Sequence, residues 1–314
     1  MGEFEFIYKI KELFGGIEGS SSGSFGRRIE GIGDDCAVLP MGDGRAMVVT
    51  TDMLLEGSHF LPAAAPARVI GRKSLAVNLS DVAAMGAQPV ATLLSIGLPK
   101  DCTGEWAEGF IQGYKELSAE HGVALIGGDT TASQNGIAIN VVAIGVADET
   151  HIKRRSDAQA GDLVCVCGRL GESAAGLRDV LAGRYDTPAA LAHHNPAPQV
   201  AEGLWLGAQV DVHAMIDLSD GLASDLAHVL RASGVGTEVD LDAIPTDYTL
   251  ADALAGGEDY KLLFTAASAD VVERYRREVG EVYIVGRIVP GEPHIKWLRD
   301  GREVAGDWRG FTHF

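Results

Sequence analysis

The stretch IDLSDGLASDL (residues 216–226) has the apolar spacing of a buried helix start, with Ile216, Leu218, Leu222, Ala223 and Leu226 available for a core. Asp217, Asp220 and Asp225 interrupt it. A second stretch, AVNLSDVAAMG (residues 76–86), repeats the tripeptide Leu-Ser-Asp in equally apolar surroundings. An unpaired carboxylate in such a place is costly, so both segments are read as apolar residues meeting a turn or helix start, with the acids at the junction; residues 216–226 are expected as a strand end, a turn and a helix. Asp217 and Asp220 are expected to flank the helix start with Ser219 between them. Asp225, a turn further on, is expected to be solvated or capping.

The same grammar recurs in GIGDDCAVL (residues 31–39, Asp34 and Asp35), VVTTDMLLEGSHF (residues 48–60, Asp52) and ALIGGDTTAS (residues 124–133, Asp129). Each alone reads as an ordinary Asp turn or N-cap. Five such junctions in one chain predict a cluster of hard oxygen ligands, which selects Mg²⁺, Mn²⁺ or Ca²⁺ over zinc. His59 lies close to Asp52 in sequence. GGEDYKLLF (residues 256–264) sets Glu258 after paired glycines at a strand start.

Around these motifs, helical spacing is expected at residues 4–14, from Pro66 to Met85, from Thr103 through the amphipathic run of Trp106, Phe110, Tyr114 and Leu117, and at residues 268–279. GGIEGSSSGSFG (residues 15–26) reads as a Gly/Ser-rich loop. Strands are expected in AMVVTTDMLL, PVATLLSIGLP, GIAINVVAIGVA, LVCVCG, TEVDLDAI, YKLLFTA and VYIVGRIV, and VALIGGDT as a short buried strand running into a glycine turn. Strands and helices mix without a regular βαβ alternation, which predicts an α+β fold of two mixed domains. The polar segment HIKRRSDAQAGD (residues 151–162) places their boundary, giving residues 1–149 and 150–314, the second with its sheet covered by helices.

Composition narrows the function. The chain of 314 residues carries 26 basic and 44 acidic residues, a formal charge of −18, which disfavours nucleic acid as a partner. The four cysteines form no C-x-x-C pair, and Cys165 and Cys167 alternate as two small buried hydrophobes would. No apolar run approaches the length of a membrane span, and the N-terminus lacks a signal-peptide pattern. A cytoplasmic location is expected. Neither a P-loop nor the protein-kinase motifs are present. A nucleotide would therefore be held through metal ions and glycine turns, with little help from lysine.

Together these segments resemble the thiamine-monophosphate kinase family, in the superfamily that includes aminoimidazole ribonucleotide synthetase and selenophosphate synthetase. The resemblance runs almost end to end through GIGDDCAVL, TTDMLLEGSHF, KSLAVNLSDVAAMGAQP, LIGGDTT, KRRSDAQAGD, GRLGESAAGL, IDLSDGLASDL, GGEDYKLLF and GFTHF. Residues 15–26 contain no reactive cysteine and the chain ends in Phe314, which disfavours selenophosphate synthetase and the hydrogenase-maturation relative. The resemblance implies ATP-dependent phosphorylation of thiamine phosphate with several Mg²⁺, in a homodimer whose N-terminal sheets pair. It implies Asp35, Asp52, Asp81, Asp129, Asp217 and Asp220 as metal ligands, with oxygens from Thr50 and Thr51. Gly128, Asp129, Arg155 and Ser219 are implied as ATP contacts, and His59, Glu258 and Phe311 as substrate contacts. No general base is implied, and Asp52 and Asp129 are expected to matter most. Phe311 stands where relatives often carry Trp or Tyr, and Lys261 where an acid is usual. The alternatives are another enzyme of the superfamily acting on a ribonucleotide amide, or a non-catalytic nucleotide- and metal-binding dimer.

Overall fold

The computed structural model describes residues 2–18, 29–306, 308 and 310. The order of elements is α1 (Glu3–Glu18), β1 (Ala37–Pro40), β2 (Arg45–Leu55), α2 (Ala67–Ala84), β3 (Gln88–Leu98), α3 (Glu105–His121), β4 (Ala124–Ala132) and β5 (Ala138–Asp148). There follow β6 (Leu163–Val166), α4 (Glu172–Leu181), α5 (Pro188–His194), α6 (Val200–Gly207), β7 (Val212–Asp217), α7 (Leu222–Ser233) and β8 (Gly236–Asp240). Last come α8 (Leu250–Ala255), β9 (Leu262–Ala266), α9 (Ala269–Glu278), β10 (Tyr283–Val289), β11 (Ile295–Arg299) and β12 (Arg302–Glu303). They build two mixed sheets with helices, the α+β class expected from the alternating patterns. One sheet has five strands in the order β1-β2-β5-β3-β4 and the other seven in the order β12-β11-β8-β10-β6-β9-β7.

The five-stranded sheet packs one face only. Alternate residues of its strands, among them Val48, Leu54, Leu94, Ile96, Ile139 and Val141, are buried against Leu75, Leu79 and Val82 of α2 and Phe110 and Tyr114 of α3. Period-two alternation directs the intervening residues away from the helices. There Met53 is 55% exposed and Leu55 is exposed too, so this face is open. Helices α2 and α3 approach closely because glycines face the contact. A Cβ on Gly113 would lie 1.7 Å from the Arg68 carbonyl oxygen, and one on Gly71 would lie 2.0 Å from that of Phe110.

The seven-stranded sheet is covered on both faces. Val164, Ile216, Leu263 and Val285 meet Leu226 and Val229 of α7 and Leu254 of α8. Cys165, Met215 and Phe264 meet Val271, Val272 and Tyr275 of α9 and Leu206 of α6. Helix α2 lies between the two halves, and almost every residue from Ile70 to Ala84 is buried.

Several local expectations change. In VALIGGDT only Val123 is buried, and the glycines do not end the strand. It runs on as β4, exposed along its whole length, because it is the sheet edge and has no covering helix. A Cβ on Gly128 would lie 1.7 Å from the Leu94 carbonyl oxygen, so the glycine admits the neighbouring strand instead of breaking the chain. The expected loop at residues 15–26 begins as the end of α1, and its remainder lies outside the described residues. Helix α1 forms at the apolar spacing, but Phe6, Leu13 and Phe14 stay exposed. Strands β1, β11 and β12 and helix α8 are too short to leave a periodic signal.

Candidate active site

The cluster grows from strand ends and a helix that meet between the halves. Strand β2 carries Thr50 and Asp52 on its helix-facing side, α2 carries Asp81, and the segment before β1 carries Asp34 and Asp35. Strand β7 ends at Asp217, and Asp220 occupies the turn before α7. Carboxylate oxygens of Asp35, Asp81 and Asp217 lie within 4.8 Å of one another. The halves are tied here by the buried Ser80 hydroxyl, which donates to Asp217 Oδ2 at 2.6 Å. Thr50 Oγ1 donates to Asp81 Oδ2 at 2.6 Å, and the Asp52 amide donates to Asn78 Oδ1 at 3.0 Å.

Crowding raises the proton affinity of these acids. Burial, then the charges of Asp35 and Asp220, push Asp52 up to about 6. Burial, then Asp35, push Asp34 up to about 7 against the opposing pull of Arg155. Asp81 is raised well above the ordinary carboxylate range by burial, then by Asp52, Asp217 and Asp35. Asp217 is raised in the same way, by burial and then by Asp35. Mutual repulsion among buried oxygen ligands is the condition that a bound cation relieves. The donor set is all oxygen, which fits a hard divalent ion.

Arg155 reaches this cluster from the second half. Its guanidinium pairs with Asp35 and lies 3.7 Å from Asp34 Oδ1, and its amide donates to Asp34 Oδ2 at 3.1 Å. Asp225 is 2% exposed, so it is not solvated. It accepts from the amides of Asp220 at 3.1 Å and Gly221 at 3.0 Å. It is a buried cap that fixes the turn on which Asp220 stands.

A cleft of about 670 Å³ opens beside the cluster. Asp52, Asp81, Ser219 and Asp220 form its acidic end, and Phe60, Leu177, Val180 and Leu181 form an apolar end. His59 and Glu258 line the wall between them. The 256–260 segment is held by backbone pairing to the Leu-Ser-Asp turn. Glu258 N–H donates to the Ser219 carbonyl at 2.7 Å, and Tyr260 N–H to that of Leu218 at 2.9 Å. Glu258 and Tyr260 take positive φ, 65° and 48°, and strained non-glycine backbone of this kind concentrates at functional sites. Between them, Asp259 accepts from the amides of Gly171 at 2.6 Å and Ser173 at 3.1 Å, anchoring the loop to the start of α4.

Three residues named from sequence stand apart. Thr51 Oγ1 donates to the Val141 carbonyl at 3.0 Å, on the open side of the sheet. Asp129 is exposed and pairs in register with Ser95, also on that side. Gly128 is level with Asp52 through Val141 and Leu94. That is three strand spacings away, roughly 14 Å. Within one chain, Asp129 therefore does not join the cluster. Phe311 lies outside the described residues.

The sequence also left residues unnoticed. Lys73 of α2 is 2% exposed and lies 2.9 Å from Glu258 Oε1. His193 and His194 of α5 are buried and line the cleft. Lys73 follows Arg72 and precedes the uncharged run 74–80, a pattern that does not tell which of the two cations is buried. The adjacent histidines had no motif around them.

Comparison with known proteins places this arrangement. Residues 33–147 match the N-terminal domain of AIR synthase related proteins and residues 159–297 match the C-terminal domain. The class is thus a two-domain AIR synthase related protein. A thiamine-monophosphate kinase of Salmonella typhimurium is 36% identical, covering 90% of this chain and 91% of its own. A solved structure described as AaThiL complexed with AMPPCP and TMP superimposes with a TM-score of 0.84 at 30% identity, covering 100% of this chain and 97% of that one. The thiamine-monophosphate kinase of Stenotrophomonas maltophilia K279a gives a TM-score of 0.76 at 37% identity, over 88% of this chain and 92% of that one. The chain belongs to the thiamine-monophosphate kinase family.

Proposed function

We propose that this protein transfers the γ-phosphoryl group of ATP to thiamine phosphate, giving thiamine diphosphate and ADP. The observation that carries the reading is the cleft with an acidic, cation-binding end and an apolar end, in a chain whose relative is complexed with AMPPCP and TMP. The acceptor is a phosphate monoester whose second pKa is about 6, so it is already ionised near neutrality and requires no general base. The difficulty is repulsion between two anionic groups. Asp35, Asp52, Asp81, Asp217 and Asp220 would hold Mg²⁺, which supplies charge neutralisation at the phosphates. Thr50 orients Asp81, Ser80 orients Asp217, and Asp225 holds the turn of Ser219 and Asp220. His59, Glu258 and Phe311 are read as contacts of the acceptor, and Arg155 and Ser219, with Gly128 of the paired molecule, as contacts of the nucleotide.

Transfer is read as direct and in line. Net retention at a chiral γ-phosphorus would reject that and favour an aspartyl-phosphate. The active form is read as a homodimer joined through the open sheet face. Thr51 and Asp129 point to that face, so their contribution belongs to the paired molecule. The deciding assay is ATP-dependent formation of thiamine diphosphate from thiamine phosphate, with free thiamine as control. Product from free thiamine alone would sink the assignment. Asp52→Asn should lower kcat by about 10²-fold or more with the circular-dichroism spectrum kept, and near-normal turnover at saturating Mg²⁺ removes Asp52 from the catalytic machinery.

A further inference from the structure

Lys73 of α2 is buried at 2% exposure. Its ammonium meets Glu258 Oε1 at 2.9 Å and donates to the His59 carbonyl at 3.3 Å. The second oxygen of Glu258 lies 3.3 Å from His193 Nδ1, and the same nitrogen lies 2.9 Å from Ser173 Oγ. One connected chain of polar atoms therefore runs from α2 through the 256–260 loop to α5 and α4. It joins the two cleft-wall residues to one cation, His59 through its backbone carbonyl and Glu258 through its carboxylate.

A buried ammonium is costly unless paired, and packing alone would be served as well by an unbranched apolar side chain. Glu258 has both oxygens engaged and its backbone held at φ 65°. Its carboxylate is thus fixed and compensated before any ligand arrives. We propose that Lys73 is a positioning residue for the acceptor: it holds Glu258 ionised and in place and cancels its charge, so the ring end meets an electroneutral wall that selects by geometry. This rests on the reading of Glu258 as an acceptor contact.

The groups facing Glu258 are Lys73 from α2, His193 and His194 from α5, His59 from the segment after β2, and Asp259 and Tyr260 from its own loop. Burial pushes the Glu258 carboxyl up, but Lys73, His193 and His59 outweigh it and hold the group below its ordinary range. With Lys73 removed, the burial contribution would dominate.

The test uses the full chain and steady-state kinetics with thiamine phosphate and ATP across pH. Wild type should show in acceptor KM only the titration of the acceptor's own phosphate, near about pH 6, and E258Q should raise that KM at every pH. K73M should raise acceptor KM about tenfold at high pH and create a further titration above the ordinary carboxylate range, as the orphaned carboxyl gains a proton. K73M/E258Q should lose that titration and match E258Q, and the KM for ATP should stay within about twofold in all three, because the changes address only one substrate. A K73M profile parallel to wild type, or a double variant markedly worse than E258Q, overturns the proposal. Unchanged acceptor KM in E258Q rejects instead the assignment of Glu258. Should K73M fail to fold, K73R and the double variant decide: a K73R profile without the new titration supports the pairing, and a double variant worse than E258Q overturns it.

Discussion

At the scale of single residues, the site is a set of charges kept in balance by neighbours. His193 is such a neighbour. Burial, then the Lys73 charge, lower it to about 4 against the opposing pull of Glu258, while an unfolded histidine titrates at about 6.5. A depressed histidine contributes stability that is complete above the unfolded value and is lost as pH falls through the folded one. Stability should therefore decline between about pH 6.5 and 4, by about 3 kcal/mol from this group. His193→Gln should flatten that part of the curve, as followed by chemical denaturation at several pH values. An identical acid limb in the variant would show that His193 does not titrate with folding. At this scale the sequence revealed the acids well and their counterweights poorly. Asp52, Asp81, Asp217 and Asp220 stood out because carboxylates are rare in apolar runs. Lys73 and His193 did not, since nothing in one dimension pairs residue 73 with 258 or 193 with 173. Asp225 was read as solvated or capping, and the structure selects the cap; its burial is the part that one dimension does not show.

At the scale of elements, close approach decides what the helices can be. Helix α3 lies against α2 because Gly113 leaves room for the Arg68 carbonyl. Gly113→Ala should force the pair apart and cost about 3 kcal/mol or more, read as a lower thermal midpoint, whereas Gly122→Ala, which ends α3 at φ 66° with open space around it, should cost only the local strain. Equal losses would show that the α2–α3 contact yields easily. Long periodic segments such as α2, α3, β2, β3 and β5 were legible because burial imposes their spacing. The error at β4 has a physical source: VALIGGDT has the composition of a core strand, and composition carries no record of whether a helix covers it. Short β11 pairs with β8 by long-range register and β12 closes a two-residue ladder on β11, and neither is long enough to leave a periodicity to find.

At the scale of the whole molecule, the open face of the five-stranded sheet is the largest unbalanced feature. Met53 and Leu55 are exposed there, and exposed apolar patches of this kind mark association surfaces. If the proposed dimer forms through this face, Met53→Lys should shift the protein toward monomer in sedimentation velocity and lower activity in parallel. An unchanged sedimentation coefficient would count against a dimer through this face. The two-domain α+β plan and the division into an early and a late sheet were legible from the order of patterns. The separation of Asp129 from Asp52 was not, because it depends on strand order, and β5 lies between β2 and β3.

The tie between Ser80 and Asp217 spans 137 residues of chain, and this has a consequence for how the molecule comes to be made. Each sheet encloses apolar clusters drawn almost wholly from its own half, so each can collapse without the other. The acidic cluster is divided unequally: Asp34, Asp35, Asp52 and Asp81 lie in the first half, and Asp217 and Asp220 join them only when the second half docks. Part of its repulsion therefore enters the folding reaction at that last, long-range step, after most apolar burial is complete. Divalent cations that bind the cluster would favour docking. A chain newly released from synthesis would complete its acidic cluster only as its halves meet.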